Sequence, residues 1–129
     1  TGRIADYICM DGTVPLSQLS HVLKRTAEIV DHYGLRVANV FHAGDGNMHP
    51  LILFNANDPE DTARAEAAGN DILKLCVDVG GCLTGEHGVG IEKRPMMLEL
   101  YAEEDLRVMD AFRRAFAPSC RLNPGKILS

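Results

Sequence analysis

Apolar and polar positions alternate in a way that divides the first third of the chain into a strand and a helix. The apolar run at residues 4–10 stops at Asp11 and Gly12, which predicts a strand followed by a turn. Apolar residues then recur every three or four positions over residues 19–33, the spacing of a helix that buries one face. Gly34 stands where such a helix would end.

The next two apolar runs flank a glycine-rich loop. Residues 35–41 (LRVANVF) and 50–54 (PLILF) are rich in residues that favour strands. Asp45 and Gly46, between them, form a strong turn signal. This arrangement predicts an antiparallel hairpin.

The remaining periodic segments are helical. Asp58 can cap a second helix, Pro59 suits its first position, and the apolar spacing continues to about Val79. Helical patterns return at residues 95–101 and 104–116. The element order predicts an α+β fold, an antiparallel sheet with helices packed on one face like part of a ferredoxin-like layer, followed by C-terminal helices.

Composition limits the classes of partner. The chain has 129 residues, 46% of them hydrophobic, which is enough for one compact domain. Its net charge is −5 without any run of Lys or Arg, so neither nucleic acid nor an anionic membrane is indicated as a partner. No apolar run approaches the roughly 20 residues needed for membrane insertion, and we expect a cytoplasmic protein. We expect thiols at all four cysteines, Cys9, Cys76, Cys82 and Cys120.

Two histidines in the predicted hairpin are candidate metal ligands. His42 and His49 would lie on adjacent strands, within reach of one ion, and neutral imidazoles bind zinc and similar cations. Histidines also stabilise turns through hydrogen bonds, so the spacing alone leaves both interpretations open. Asp45 and Asn47 are favoured turn residues that we expect to shape the loop.

A second glycine-rich segment, residues 80–90 (GGCLTGEHGVG), offers a third ligand in Glu86 beside His87. Two histidines and one carboxylate leave positions open on a metal, as in catalytic sites. The alternative is an ordinary solvated loop. Cys76 and Cys82 could join His87 in a zinc set, although Cys76 falls on the apolar face of the second helix, where a small buried hydrophobe is typical.

Three ordered motifs, FHAGDGNMHPLIL, GGCLTGEHGVG and NPGK, resemble the C-terminal part of FAD-linked oxidases of the vanillyl-alcohol oxidase superfamily. That group includes FAD-linked subunits of glycolate oxidases and the D-lactate and D-2-hydroxyglutarate dehydrogenases. The resemblance covers residues 11–128. It implies that residues 1–129 are a substrate or cap domain, a fragment that follows a separate FAD-binding domain and is inactive alone.

The resemblance also implies residue roles. A divalent metal, usually zinc, would be held by His42, His49 and Glu86. His87 would face the flavin and act as the catalytic base, and Asn123 and Lys126 would lie near FAD. The implied reaction oxidises a small 2-hydroxy acid, of glycolate or D-lactate type: the metal acidifies the hydroxyl, His87 takes its proton, and hydride passes to the flavin.

Some features limit the resemblance. Leu16 stands where many relatives carry Arg, and Cys9 where the hydroxyglutarate branch carries Lys, so no substrate contact is assigned to this end. The implied partners are other subunits of a glycolate oxidase complex, which could hold the protein at the inner membrane, or a second copy in a homodimer. Two other functions use the same residues: a metal-dependent hydrolase at His42, His49 and Glu86, or a non-catalytic assembly module.

Overall fold

A computed structural model of the protein describes residues 6–119 and 121–128. The chain divides into two compact units, Thr1–His87 and Gly88–Ser129. The described part of the first unit contains strands and helices in the order β1 (Asp6–Cys9), β2 (Gly12–Thr13), α1 (Leu19–His32), β3 (Arg36–His42), β4 (Asn47–Phe54) and α2 (Pro59–Asp78).

The sheet is antiparallel and β4 is its central strand. β3 pairs along one edge of β4, while β1 and β2 follow each other along the opposite edge. The predicted turn at Asp11 and Gly12 is therefore wrong: the chain continues along β4, with Gly12 opposite Met48. Even in the gap between β1 and β2, the amide of Met10 donates to the carbonyl of Pro50 at 3.1 Å.

The predicted hairpin is confirmed. β3 and β4 pair in a register that places Val40 opposite His49, and residues 43–46 form the turn. Gly46 has a φ of 68°, and a Cβ on it would lie 2.1 Å from the carbonyl oxygen of Val14, so no larger residue fits this turn. β4 begins at Asn47, three residues before the predicted strand.

Both long helices form as predicted. α1 follows a short 3-10 turn and buries Val22 and Val30. The carboxylate of Asp58 accepts a hydrogen bond from the amide of Glu60 at 2.9 Å, which caps α2.

The core lies between the helices and one face of the sheet. It includes Val14, Val22, Met48 and Cys76, which confirms that Cys76 is a buried hydrophobe. The predicted α+β class is confirmed, with the antiparallel sheet and its helices. Cys9, Cys76 and Cys82 are thiols and not disulfides, and Cys120 lies outside the described residues.

The second unit contains the predicted C-terminal helices, α3 (Met97–Leu100), preceded by a 3-10 turn, and α4 (Glu103–Phe116). Residues 121–128 follow as turns and bends, where the amide of Ile127 donates to the carbonyl of Gly90 at 2.8 Å. Across residues 6–119 and 121–128, no helix has the length and apolar character that crossing a membrane requires.

Candidate metal centre

The face of the sheet opposite the helices carries the two candidate histidines. Met48 points into the core, so the next residue of β4, His49, points to the other face. His42 ends β3 opposite Asn47 and lies on the same face. The imidazole centroids of His42 and His49 are 5.4 Å apart, and their planes are nearly perpendicular at 89°. His49 is buried at 5% exposure, whereas His42 is exposed.

Glu86 reaches both imidazoles from the second glycine-rich segment. Its Oε1 lies 2.9 Å from Nε2 of His49 and 3.6 Å from Nε2 of His42. One donor atom from each of these three residues lies within 4.8 Å of the others. The structure thus brings together the three residues predicted as metal ligands.

A buried carboxylate that sequence reasoning missed holds this segment in place. Asp11 is fully buried, and its Oδ2 accepts hydrogen bonds from the hydroxyl of Thr84 at 2.6 Å and from three consecutive amides. The amide distances are 2.9 Å for Gly85, 3.0 Å for Glu86 and 2.8 Å for His87. Consecutive N–H groups that converge in this way form an anion-binding nest.

The same contacts determine the protonation of Asp11. Burial by itself raises the pKa of a carboxyl group, but the hydrogen bonds from Thr84 and the three amides outweigh it and hold the pKa of Asp11 well below its ordinary value of 3.8. Asp11 is therefore ionised at neutral pH. Its negative charge and its hydrogen bonds fix the backbone that carries Glu86 and His87.

The side chain of Asn47 packs against the same segment at Gly85. We expected it to shape the hairpin turn, but it is the first residue of β4 and is 7% exposed. A Cβ on Gly85 would lie 2.5–2.7 Å from the side-chain amide of Asn47. Any side chain at Gly85 would therefore require the buried amide of Asn47, or the backbone that carries Glu86, to shift.

His87 lies beside the three candidate ligands. Its ring stacks on that of His49, with centroids 4.9 Å apart and an interplanar angle of 22°. Its Nε2 is 4.0 Å from Oε1 of Glu86, and about half of its side chain, 48%, is exposed. A solvated loop without contacts does not describe this segment, because both side chains face the sheet histidines.

Cys9 is a second residue that sequence reasoning missed. Its Sγ lies 3.9 Å from Nδ1 of His49, on the opposite side of the ring from Glu86. Cys9, His49 and His87 also offer donor atoms within 4.8 Å of one another. Among the described residues, the alternative set of Cys76, Cys82 and His87 is not such a group.

Asn123 and Lys126, predicted to contact FAD, belong to the second unit. Both line a cavity of about 620 Å³ together with residues 88–90 and Arg113. Asn123 has a φ of 43°, a left-handed conformation that is uncommon for residues other than glycine.

Two imidazoles and a carboxylate around one point, with a third imidazole alongside, define a candidate metal centre with ligand positions left open. Sequence comparison then identifies the family: the chain belongs to the FAD linked oxidases, as their C-terminal domain, which matches residues 2–127.

Its relatives are named for hydroxy-acid oxidation. The glycolate oxidase subunit GlcD of Escherichia coli (strain K12) is 55% identical over 97% of this chain and 25% of the relative. GlcD of Bacillus subtilis (strain 168) is 35% identical over 95% of the chain and 26% of the relative. The mitochondrial D-lactate dehydrogenase [cytochrome] of Kluyveromyces lactis is 40% identical over 98% of the chain and 22% of the relative. The chain thus spans about a quarter of the length of these relatives.

Proposed function

We propose that this chain is the substrate-side, C-terminal domain of a flavin-dependent enzyme that oxidises a small 2-hydroxy acid, of glycolate or D-lactate type, to the 2-oxo acid. The observation that carries the proposal is the convergence of His42, His49, Glu86 and His87 on one sheet face. Membership of the FAD linked oxidases favours this function over a metal-dependent hydrolase or a non-catalytic module.

The donor set fits a divalent metal. Around a tetrahedral zinc ion with bonds of about 2.0–2.1 Å, nitrogen and oxygen ligands are separated by about 3.4 Å. The distances from Oε1 of Glu86, 2.9 Å to His49 and 3.6 Å to His42, bracket that value. His42, His49 and Glu86 would hold the ion with only small side-chain movements. When bound, the metal would polarise the substrate oxygens and make the hydroxyl more acidic.

His87 is the proposed base. Its imidazole would accept the substrate hydroxyl proton on a ring nitrogen, since imidazole is a common general base near neutral pH. Two contacts orient it: the stacking of its ring on His49 and the hydrogen bond from its amide to Asp11. Its exposed fraction leaves room for a substrate to approach.

FAD would supply the hydride acceptor, and we propose that Asn123 and Lys126 contact it while a preceding domain binds most of it. The cavity that both residues line has a volume of about 620 Å³, a size typical of ligand sites. An amide and an ammonium group suit the carbonyl and phosphate oxygens of a flavin nucleotide.

We also propose association in the cytoplasm with other subunits of an oxidase complex, or with a second copy.

Metal binding by the chain itself tests the donor set. We expect calorimetric titration to show that Zn²⁺ binds at one or more sites. His49→Ala should weaken Zn²⁺ binding at least about tenfold, because even the loss of a residue that only hydrogen-bonds a metal ligand lowers metal affinity by about tenfold or more. His21→Ala is the matched control, since His21 lies exposed on α1. Equal affinity in all three proteins would overturn the assignment of His49.

Turnover in the full-length flavoprotein tests the base. We expect His87→Asn to lower oxidation of a 2-hydroxy acid by about 10²-fold or more while the flavin absorbance is unchanged. Retained turnover would remove His87 from this role. A full-length protein without flavin that hydrolyses esters or amides would favour the hydrolase.

A further inference from the structure

The two ring nitrogens of His49 face two different donor sets. Nε2 points to Glu86 at 2.9 Å, whereas Nδ1 points to Sγ of Cys9 at 3.9 Å. The sheet fixes this arrangement: Cys9 on β1 is opposite Leu51 on β4, so His49, two residues before Leu51, is the diagonal neighbour of Cys9 on the same face.

Cys9 and His49 form a set of three donors with His87, whose ring stacks on His49. One thiolate and two imidazoles form a soft donor set that suits zinc and other thiophilic cations. Around tetrahedral zinc, bonds of about 2.3 Å to sulfur and 2.0–2.1 Å to nitrogen separate these two ligands by about 3.6 Å. The distance of 3.9 Å between Sγ of Cys9 and Nδ1 of His49 needs only a small adjustment.

The surroundings favour a cation at this point. Oδ1 of the Asp11 carboxylate lies 3.8 Å from Nδ1 of His49. Cys9 is half-buried, so its attraction to a cation is screened less than at the protein surface. Metal binding would release the thiol proton of Cys9 to solvent, because the thiolate is the ligand.

We propose that Cys9, His49 and His87 form a second metal site for a thiophilic cation such as Zn²⁺ or Cd²⁺, which shares His49 with the set of His42 and Glu86. The site has a consequence that rests on the proposed function. With a ring nitrogen bound to the cation, His87 can no longer accept the substrate proton, so an excess of such a cation inhibits the enzyme.

Cobalt titration of the chain tests the site without any assay of turnover. Thiolate bound to Co²⁺ gives a near-ultraviolet charge-transfer band that nitrogen and oxygen ligands do not give. We expect the band in the wild type and in Glu86→Gln, and its loss in Cys9→Ser and Cys9→Ala. Cys82→Ser is the matched control, a half-buried cysteine outside both donor sets, and it should keep the band.

A wild-type chain without the band, or a band that persists in folded Cys9→Ser, would overturn the proposal; far-ultraviolet circular dichroism confirms that each variant is folded. The inhibition is measured in the full-length flavoprotein, each variant relative to its own rate without added cation. We expect Cys9→Ser to need at least about tenfold more Cd²⁺ than the wild type for half inhibition. If the chain gives the cobalt band but the full-length protein oxidises no hydroxy acid, the second metal site is supported and the proposed function is refuted. If the full-length protein oxidises a hydroxy acid but the chain gives no band, the proposed function is supported and the second metal site is refuted.

Discussion

Asp11→Asn is the substitution that best tests how the candidate centre is built. Four donors converge on the Asp11 carboxylate, from Thr84 and from the three amides that follow it. All four donors reach the same oxygen, Oδ2, which the amide oxygen of asparagine can replace only without its negative charge, and the NH₂ group would then stand in place of Oδ1, where the amide of Glu86 lies at 3.3 Å. All four hydrogen bonds therefore become weaker, because the acceptor is no longer charged.

The structure gives the size of the effect. A hydrogen bond to a charged group contributes about 1.5–3 kcal/mol and one between neutral groups about 0.5–1.5 kcal/mol, so each bond weakens by about 1 kcal/mol and the four together by about 3–5 kcal/mol. Residues 84–87 can relax toward water, and we therefore expect a loss of unfolding free energy near the lower end, about 3 kcal/mol. Because the same residues carry Glu86 and His87, we expect Zn²⁺ affinity to fall as well, by about 10–100-fold.

Two measurements on the chain check this prediction: urea unfolding followed by circular dichroism, and calorimetric titration with Zn²⁺. Asp58→Asn is the matched control, the same change at a carboxylate that also accepts a backbone N–H, but at the start of α2. Asn and Asp cap helices about equally well, so the control should change neither quantity appreciably. Wild-type stability and affinity in Asp11→Asn would refute the role of Asp11.

The pH dependence gives an independent check. Because the pKa of Asp11 is lower in the folded chain than its ordinary value of 3.8, its contribution to stability is complete above that value and is lost as the pH falls below it. Asparagine does not titrate. We expect the difference in unfolding free energy between the wild type and Asp11→Asn to be constant near neutral pH and to shrink in acid, and a difference that does not change would contradict the ionised state of Asp11.

Three further substitutions test other parts of the first unit. Gly85→Ala should weaken Zn²⁺ binding, because its Cβ would collide with Asn47. Gly44→Ala, with nothing within 4 Å of its Cβ, should bind Zn²⁺ like the wild type, and equal affinities in the two variants would refute the packing argument. Ile52→Ala, at a fully buried position of β4, should cost about 2–5 kcal/mol in urea unfolding, and a cost below 1 kcal/mol would place Ile52 outside the core. Asp58→Ala removes the cap of α2 and should cost about 1 kcal/mol, seen as a lower midpoint of thermal unfolding; an unchanged midpoint would mean that the cap contributes nothing.

The features that could be predicted from the sequence depend on neighbouring residues. The cap at Asp58 and the hairpin of β3 and β4 are encoded within a few positions of each other. His42 and His49 could be predicted together for the same reason, since a hairpin brings its own two strands side by side. Strand boundaries depend on more distant pairing: β4 extends back to Asn47 because β2 pairs with that part of it.

The role of Asp11 could not be predicted in this way. Asp11-Gly12 and Asp45-Gly46 are the same dipeptide, a strong turn signal, yet only the second lies in a turn. At the first position, pairing with β4 keeps the chain extended, and the carboxylate binds amides 74 to 76 residues further along. Local propensity cannot report contacts at that separation, so tertiary structure overrides the turn signal.

The two proposed donor sets differ in what holds their residues in place, and this difference bears on which cation is preferred. Cys9 and His49 are held by the pairing of β1 with β4, whereas Glu86 is held by the hydrogen bonds of its segment to Asp11. Both proposed donor sets need His49, but only one needs the carboxylate and only the other needs the thiol. A change at Asp11 that releases residues 84–87 moves Glu86 in one set and His87 in the other, because the amides of both residues donate to Asp11. The donors that stay on the sheet are then two imidazoles in the first set, but the thiol of Cys9 and the imidazole of His49 in the second. Sulfur ligands favour the softer cation. We expect Asp11→Asn to shift preference from Zn²⁺ toward the more thiophilic Cd²⁺, a ratio of affinities that competition titration measures.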